Sequence, residues 1–189
     1  EIRFHRPFFR DRKSVNPLGG AADQLLIGNL LGRGKGVHIH AAGIRDPRGR
    51  GCLFVGQSEA GKSTMARLWQ DEPDVLILSD DRIILREQEG RLWMYGTPWH
   101  GEGGFSSPAR VPLDAVFLLR KGNKTELNPL RAAECAARLM SCAFVPFYSP
   151  PALSFTLGFL QKVTETVPPH ELRCLPDKRA VKFIQNSLP

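Results

Sequence analysis

The sequence predicts an α/β fold on a mixed sheet, and three observations predict it. Short apolar runs bounded by turn residues recur at 37–44, 52–55, 75–78 and 113–119, as buried strands do. Segments with helical spacing at 23–31, 62–70, 129–142, 151–162 and 177–186 are interspersed with them. One of the strands passes directly into one of the helices through a glycine-bearing connection, Gly56–Thr64.

The chain has 189 residues, which suits a single domain over 1–189 with a core that needs no disulfide or metal staple. No apolar run approaches the roughly 20 residues that cross a bilayer, so a membrane partner is not expected. The net charge of +7 favours anionic ligands. Much of the excess lies in Arg3, His5, Arg6, Arg10, Arg12 and Lys13, read as part of a peripheral basic arm over residues 1–24. Nothing resembling an RNP, zinc-finger or helix-turn-helix pattern accompanies that charge, which argues against nucleic acid as the partner. The first residue is Glu1 and not Met, as in a processed chain or a fragment with a segment upstream. Cys52, Cys135, Cys142 and Cys174 form no CxxC pair and have no metal-ligand spacing. Four reduced thiols in a cytoplasmic protein is the simplest account.

Taken in order, Asp23–Leu31 clusters its apolar residues as a short helix and ends at the glycines of 32–36. Val37–Ile44 alternates like a strand, Asp46–Gly51 is a turn, and Cys52–Val55 is a buried strand closing a hairpin. Lys62–Gln70 follows as a helix, stopped before Pro73. Val75–Leu78 is a further strand that ends on Ser79-Asp80-Asp81. Arg82–Glu87 and Arg91–Tyr95 flank Glu89-Gly90 as a hairpin, and Gly96–Pro112 reads as one long loop, a length that is usually functional or disordered. After the strand Leu113–Leu119 come helices at Pro129–Cys142 and Pro151–Lys162, a strand at Glu171–Cys174 and a last helix N-capped by Asp177.

Gly56-Gln57-Ser58-Glu59-Ala60-Gly61-Lys62-Ser63-Thr64 fits G-x-x-x-x-G-K-[ST] between a strand and a helix, the context that gives this P-loop pattern its meaning. Backbone N–H groups of such a loop, and the helix N-terminus behind it, point at phosphate oxygens. Lys62 is then placed for the β- and γ-phosphates of ATP and the Ser63 hydroxyl for Mg²⁺. Asp80-Asp81, at the end of the next strand, adds one carboxylate for the metal side and one for accepting a proton from an attacking hydroxyl. Gly96-Thr97-Pro98-Trp99-His100-Gly101-Glu102-Gly103-Gly104 lets backbone approach a ligand closely and brings aromatic, imidazole and carboxylate groups with it. His38 and His40 lie two apart on a strand and point the same way.

The order of these pieces resembles the superfamily of HPr kinase/phosphorylase and ATP-dependent phosphoenolpyruvate carboxykinase. Within it, "HIHAAGI", "LFVGQSEAGKSTMARLW", "ILSDDRIIL", "YGTPWHGEGG" and "ELRCLPDKRAVKFI" are similar to a bacterial group of HPr-serine-kinase-like proteins. The resemblance runs from about Leu25 to the C-terminus. It implies the fold of the HPr kinase C-terminal domain, a mixed sheet wrapped by helices with ATP and Mg²⁺ on the P-loop. It also implies a homo-oligomer, His40 near the catalytic metal, Asp80 on the metal side, Asp81 as base and Glu102 as a second acid by the metal. The Asp80 and Asp81 roles could be reversed. Glu59 stands where the family commonly has glycine. The Glu-Ile-Arg-Gly signature of true HPr kinases gives way to the Gly-Thr-Pro-Trp-His loop, so HPr is not implied as the acceptor. The chain is also too short to hold the carboxykinase substrate-binding domain. The expectation is a kinase acting on a hydroxyl, a serine of a protein or peptide. A small-molecule kinase and a nucleotide-binding sensor or scaffold with little turnover are the alternatives.

Overall fold

Strand β1 (Val37–Arg45) is the spine of a nine-stranded mixed sheet. It comes from a computed structural model that describes residues 21–188; Arg3 to Lys13 lie outside the described residues. Helix α1 (Ala21–Leu31) precedes β1, and β2 (Gly51–Val55) pairs antiparallel with its second half. After helix α2 (Lys62–Gln70), β3 (Leu76–Ser79) and β4 (Arg82–Gln88) run along the opposite edge of β1. Gly43 faces Ser79 and His40 faces Arg82, so Asp80 and Asp81 fall opposite Ala42 and Ala41 in the same register. The Ala41 N–H donates to the Asp81 carbonyl there (3.0 Å).

Strands β5 (Arg91–Tyr95) and β6 (Arg110–Pro112) extend the sheet antiparallel beyond β4. On the other side β7 (Ala115–Lys121) lies parallel to β2. Strand β9 (Pro169–Cys174) is parallel to β7, and β8 (Glu126–Pro129) closes that edge antiparallel. Helices α3 (Ala132–Met140), α4 (Pro150–Thr166) and α5 (Lys178–Ser187) complete the fold.

Alternation along the central strands divides the core in two. Val37, Ile39, Ala41, Leu53, Val55, Val116 and Leu118 pack with Leu139 of α3 and Leu160 of α4. Ala42, Ile44, Phe54 and Phe117 face the other way and pack with Met65 and Trp69 of α2 and Ile184 of α5. Strands buried on both faces read as near-continuous apolar runs, as 52–55 and 113–119 do. His38 and His40 share the α2 face of β1 with Ala42 and Ile44.

Three expectations need correction. Residues 126–129 form a strand and not part of a loop and helix, because pairing with β9 overrides their weak, polar local pattern. The helix expected over 129–142 therefore spans only Ala132–Met140, and Cys142–Phe144 instead lie along β1. His40 N–H donates to the Cys142 carbonyl (2.8 Å), and Phe144 N–H donates to the His38 carbonyl (2.8 Å). The loop expected over 96–112 ends at Ala109, because pairing with β5 makes Arg110–Pro112 a strand. By contrast α2 and β5 have the expected bounds, and the N-cap expected at α5 is present: the Asp177 side chain accepts from Arg179 N–H (2.8 Å).

Candidate functional site

The loop Gly56–Gly61 leaves β2 where the Cys142–Phe144 segment takes over the edge of β1, and it turns directly into α2. Two backbone constraints shape it. A Cβ at Gly56 would sit 2.5 Å from that of Ala60, so only glycine allows the loop to close. Gly61, the residue before α2, has φ +104°, which side chains rarely adopt. Glu59 also lies in the left-handed region, at φ +66°, so the loop accommodates at some strain the side chain that stands in place of glycine.

Among the described residues no side chain caps α2, which leaves its first-turn N–H groups available to an anion. Lys62 is 5% exposed, and its Nζ donates to the carbonyls of Gly56 (2.7 Å) and Gln57 (2.9 Å), tying the loop to its own helix. Burial lowers its pKa. The ammonium is therefore inside the loop but turned onto carbonyls, and contact with phosphates requires it to exchange at least one of them. Gln57, Ser58, Glu59 and Thr64 are exposed, while Ala60, Gly61 and Ser63 are half-buried.

Asp80 is 1% exposed and grips the long glycine loop. Its Oδ1 accepts from Gly101 N–H (2.9 Å) and its Oδ2 from Gly103 N–H (2.8 Å). Ser79 Oγ donates to the Trp99 carbonyl (2.8 Å), and Thr97 Oγ1 to that of Arg82 (2.7 Å). The segment Gly96–Ala109 is thus pinned onto the Ser79–Arg82 stretch, with Glu102 exposed at the cleft. A Cβ on Gly101 would lie 2.9 Å from Asp80 Oδ2 and 3.0 Å from Ser63 Oγ, so these two oxygens flank one point. Among the described residues no group of three His, Cys, Asp or Glu side chains could hold a metal alone. A hydroxyl and a carboxylate do suit Mg²⁺, which keeps waters and takes phosphate oxygens as its other ligands.

Asp81 sits at the opening. Its Oδ1 lies 3.0 Å from His40 Nδ1, and its Oδ2 accepts from Arg82 Nε (2.9 Å). His40 Nδ1 is also 2.9 Å from the Asp81 carbonyl. Carbonyl and carboxylate oxygens only accept, so the proton is assigned to Nδ1 and the neutral ring keeps Nε2 as its acceptor. The hydrogen bond from His40 holds the Asp81 carboxyl below its usual range, against the effect of partial burial and with Arg82 adding to it. Behind this pair, His38 stacks between Trp99 (5.1 Å) and Phe144 (4.5 Å), and the Arg82 guanidinium lies over both of those rings. Among the described residues neither ring nitrogen of His38 has a partner, and burial, assisted by Arg82, lowers its pKa to about 4.

One cavity of about 340 Å³ is lined by His40, Ser58, Glu59, Gly61–Thr64, Asp80, Asp81, Gly101 and Glu102. It brings together every residue that the sequence assigns to catalysis or metal. A neighbouring cleft of about 620 Å³ shares His40, Ser58 and Asp81 and is bounded by Arg82 and Ser141–Phe144.

No family model matches this sequence, and no curated protein matches it either. Among solved structures, the Hpr(Ser) kinase/phosphatase from Coxiella burnetii aligns with 79% of this chain and 94% of its own. The TM-score is 0.45 and the sequence identity 14%.

Sequence reasoning missed Arg82 and the Ser141–Phe144 wall. The position of Arg82 directly after Asp-Asp, on a strand beside His40, was the available signal for the first. Nothing local marks the second, because it depends on a post-helix segment pairing with a strand about a hundred residues earlier.

Proposed function

We propose that the protein is an ATP- and Mg²⁺-dependent kinase that transfers the γ-phosphoryl group to a hydroxyl, a serine in a peptide or protein. The observation that carries this reading is that one cavity joins the anion-binding end of α2, the Ser63–Asp80 oxygen pair and an oriented His40–Asp81 pair. A binding loop alone would need only the first. The loop amides and Lys62 hold the phosphates, while Ser63 and Asp80 hold the metal with Glu102 close by. When bound, Mg²⁺ neutralises charge on the β- and γ-phosphates.

The acceptor hydroxyl loses its proton to the His40–Asp81 pair as its oxygen bonds to the γ-phosphorus. The bond to the bridging oxygen breaks, and ADP leaves with the electron pair. Because Nδ1 is committed to Asp81, the proton goes to His40 Nε2, with Asp81 orienting the ring and stabilising the imidazolium. This differs from a carboxylate base acting alone: Asp81 already accepts from the His40 ring N–H and from the Arg82 guanidinium, and its lowered pKa makes it the weaker acceptor.

Peptide acceptors are favoured over small molecules by the shape of the approach. Ala143 and Phe144 line both the 620 Å³ cleft and an apolar groove of about 460 Å³ between α1 and Val145–Tyr148. A serine at His40 would have its neighbouring residues along that groove. Among the described residues no helix is long and apolar enough to cross a membrane. A kinase with four free thiols fits the cytoplasm, where ATP is present and thiols stay reduced.

The test is ADP release from Mg-ATP with water as the acceptor. His40→Gln and Asp81→Asn are expected to keep Mg-ATP affinity within about threefold and to lower release by about 100-fold or more. Wild-type release in both variants contradicts the assignment. Tight Mg-ATP binding with no release above background in the wild type, with or without a serine-bearing peptide, would favour the sensor instead.

A further inference from the structure

The segment that walls the reactive cleft, Ser141–Phe144, has a firmly held backbone. Besides the two bonds that tie Cys142 and Phe144 to β1, Cys142 N–H donates to the Leu139 carbonyl (3.0 Å) and Ala143 N–H to that of Met140 (3.2 Å). Just beyond, the Val145 carbonyl accepts from Phe147 N–H (2.9 Å). Two groups are left over: among the described residues, neither the Ala143 carbonyl nor the Val145 N–H has a partner. Backbone groups alternate in direction along an extended segment. The Cys142 carbonyl and Phe144 N–H face β1, so the Ala143 carbonyl and Val145 N–H face away from it. An acceptor and a donor spaced in this way along one edge are what a further strand pairs with. Pro146 follows at once, so the edge is short and suits one brief pairing.

We infer that an extended segment of the acceptor polypeptide adds to this edge as a strand, bonded to the backbone of Ala143 and Val145, and sets a large apolar side chain in the adjoining groove. The inference rests on the kinase reading for the acceptor being a serine-bearing polypeptide, while the edge and the groove stand without it. Strand addition draws affinity from main-chain bonds that any sequence can make, and leaves selection to pockets for side chains. Such pockets lie on either side of the edge. Ala143 and Phe144 line the 620 Å³ cleft that holds His40 and Asp81, and also the 460 Å³ groove, where Leu25, Phe147 and Tyr148 are exposed. Phe144 stacks on His38, so side chains of an added strand that share its face point to the face on which His40 stands. An added strand lies one spacing, about 4.8 Å, beyond the segment, and its chain covers the way to His40 in about three residues. The serine therefore stands on one side of the pairing residue and the apolar side chain on the other, within about six residues of each other. The outer strands β6 and β8 lie at the two ends of the sheet, too far from β1 to deliver a serine in this way.

The probe is a displayed library of random peptides of about 13 residues, long enough for that span on both sides of a fixed central serine. It is selected for binding to the wild type with Mg-ADP present. Enriched peptides should share a large apolar residue at one offset from the serine, and Phe147→Ser, a change at an exposed side chain, should remove that preference. Val145→Pro deletes the N–H at a position that Pro146 already biases to extended backbone. It should weaken the selected peptides about tenfold, the loss of one hydrogen bond, and Val145→Ile, which keeps the N–H, should restore them. N-methylation along the peptide removes the matching donor without touching the protein, and should cost about as much at one residue only. Absence of enrichment, or equal binding by wild type, Val145→Pro and every N-methylated form, overturns the inference. So does a dimer that Val145→Pro dissociates, which puts a second copy on the edge, and so does peptide binding that appears only once residues 1–20 are removed. Peptides that bind through this edge yet gain no phosphoserine from Mg-ATP overturn the kinase reading and leave the docking edge in place.

Discussion

His38 carries the least comfortable side chain of the site. It is 1% exposed, both its nitrogens lack partners among the described residues, and its ring is held between Trp99 and Phe144 with Arg82 alongside. Its pKa near 4, against 6.5 in the unfolded chain, makes stability depend on pH. Between these values the unfolded state binds the extra proton, so stability rises with pH. The contribution is complete above about pH 6.5 and is lost as pH falls towards 4, on the order of 3 kcal/mol in all. Urea midpoints of the wild type and His38→Phe across that window give the check. The wild type should lose more stability than the variant on acidification, and parallel profiles would show that His38 is not buried neutral. His40, two residues on, is 26% exposed and oriented by Asp81, and this contrast separates a histidine held in the core from the one proposed to take the proton, on one strand face.

Among the elements, the Gly96–Ala109 segment depends most on one side chain. Asp80 receives two backbone N–H groups from it, so the carboxylate that serves the metal in the proposed reaction also holds the glycine loop. Hydrogen bonds to a charged group contribute about 1.5–3 kcal/mol each. Asp80→Ala should therefore cost about 3 kcal/mol or more and raise amide exchange at Gly101 and Gly103, leaving β1 and β7 protected. Unchanged exchange at those two glycines would mean that the loop is held elsewhere. None of this anchoring is legible in the sequence, because the partners lie more than twenty residues apart and involve backbone groups. What was legible is local: the strand–loop–helix pattern that fixed α2, the apolar runs of β2 and β7, and the two-residue spacing that put His38 and His40 on one face. Strands β6 and β8 were not, since three or four residues of mixed character become strands only through their neighbours.

For the molecule as a whole, the sheet sets the site by making β1 change partners midway. Its second half pairs with β2 and β3, its first half with β4 and the Cys142–Phe144 segment, and the Gly56–Gly61 loop and the Asp80–Asp81 pair both fall at the changeover. The motif was readable because its residues are contiguous. The cleft walls were not, because Cys142–Phe144 reach β1 from the far end of the chain. The central claim is that phosphates bind where Lys62 now holds the Gly56 and Gln57 carbonyls. It is tested most directly by calorimetric titration of Mg-ATP into the wild type and Lys62→Ala. The account predicts saturable one-site binding that weakens by about tenfold or more in the variant, the loss of one charge-assisted contact. Equal affinity in the two proteins would contradict it.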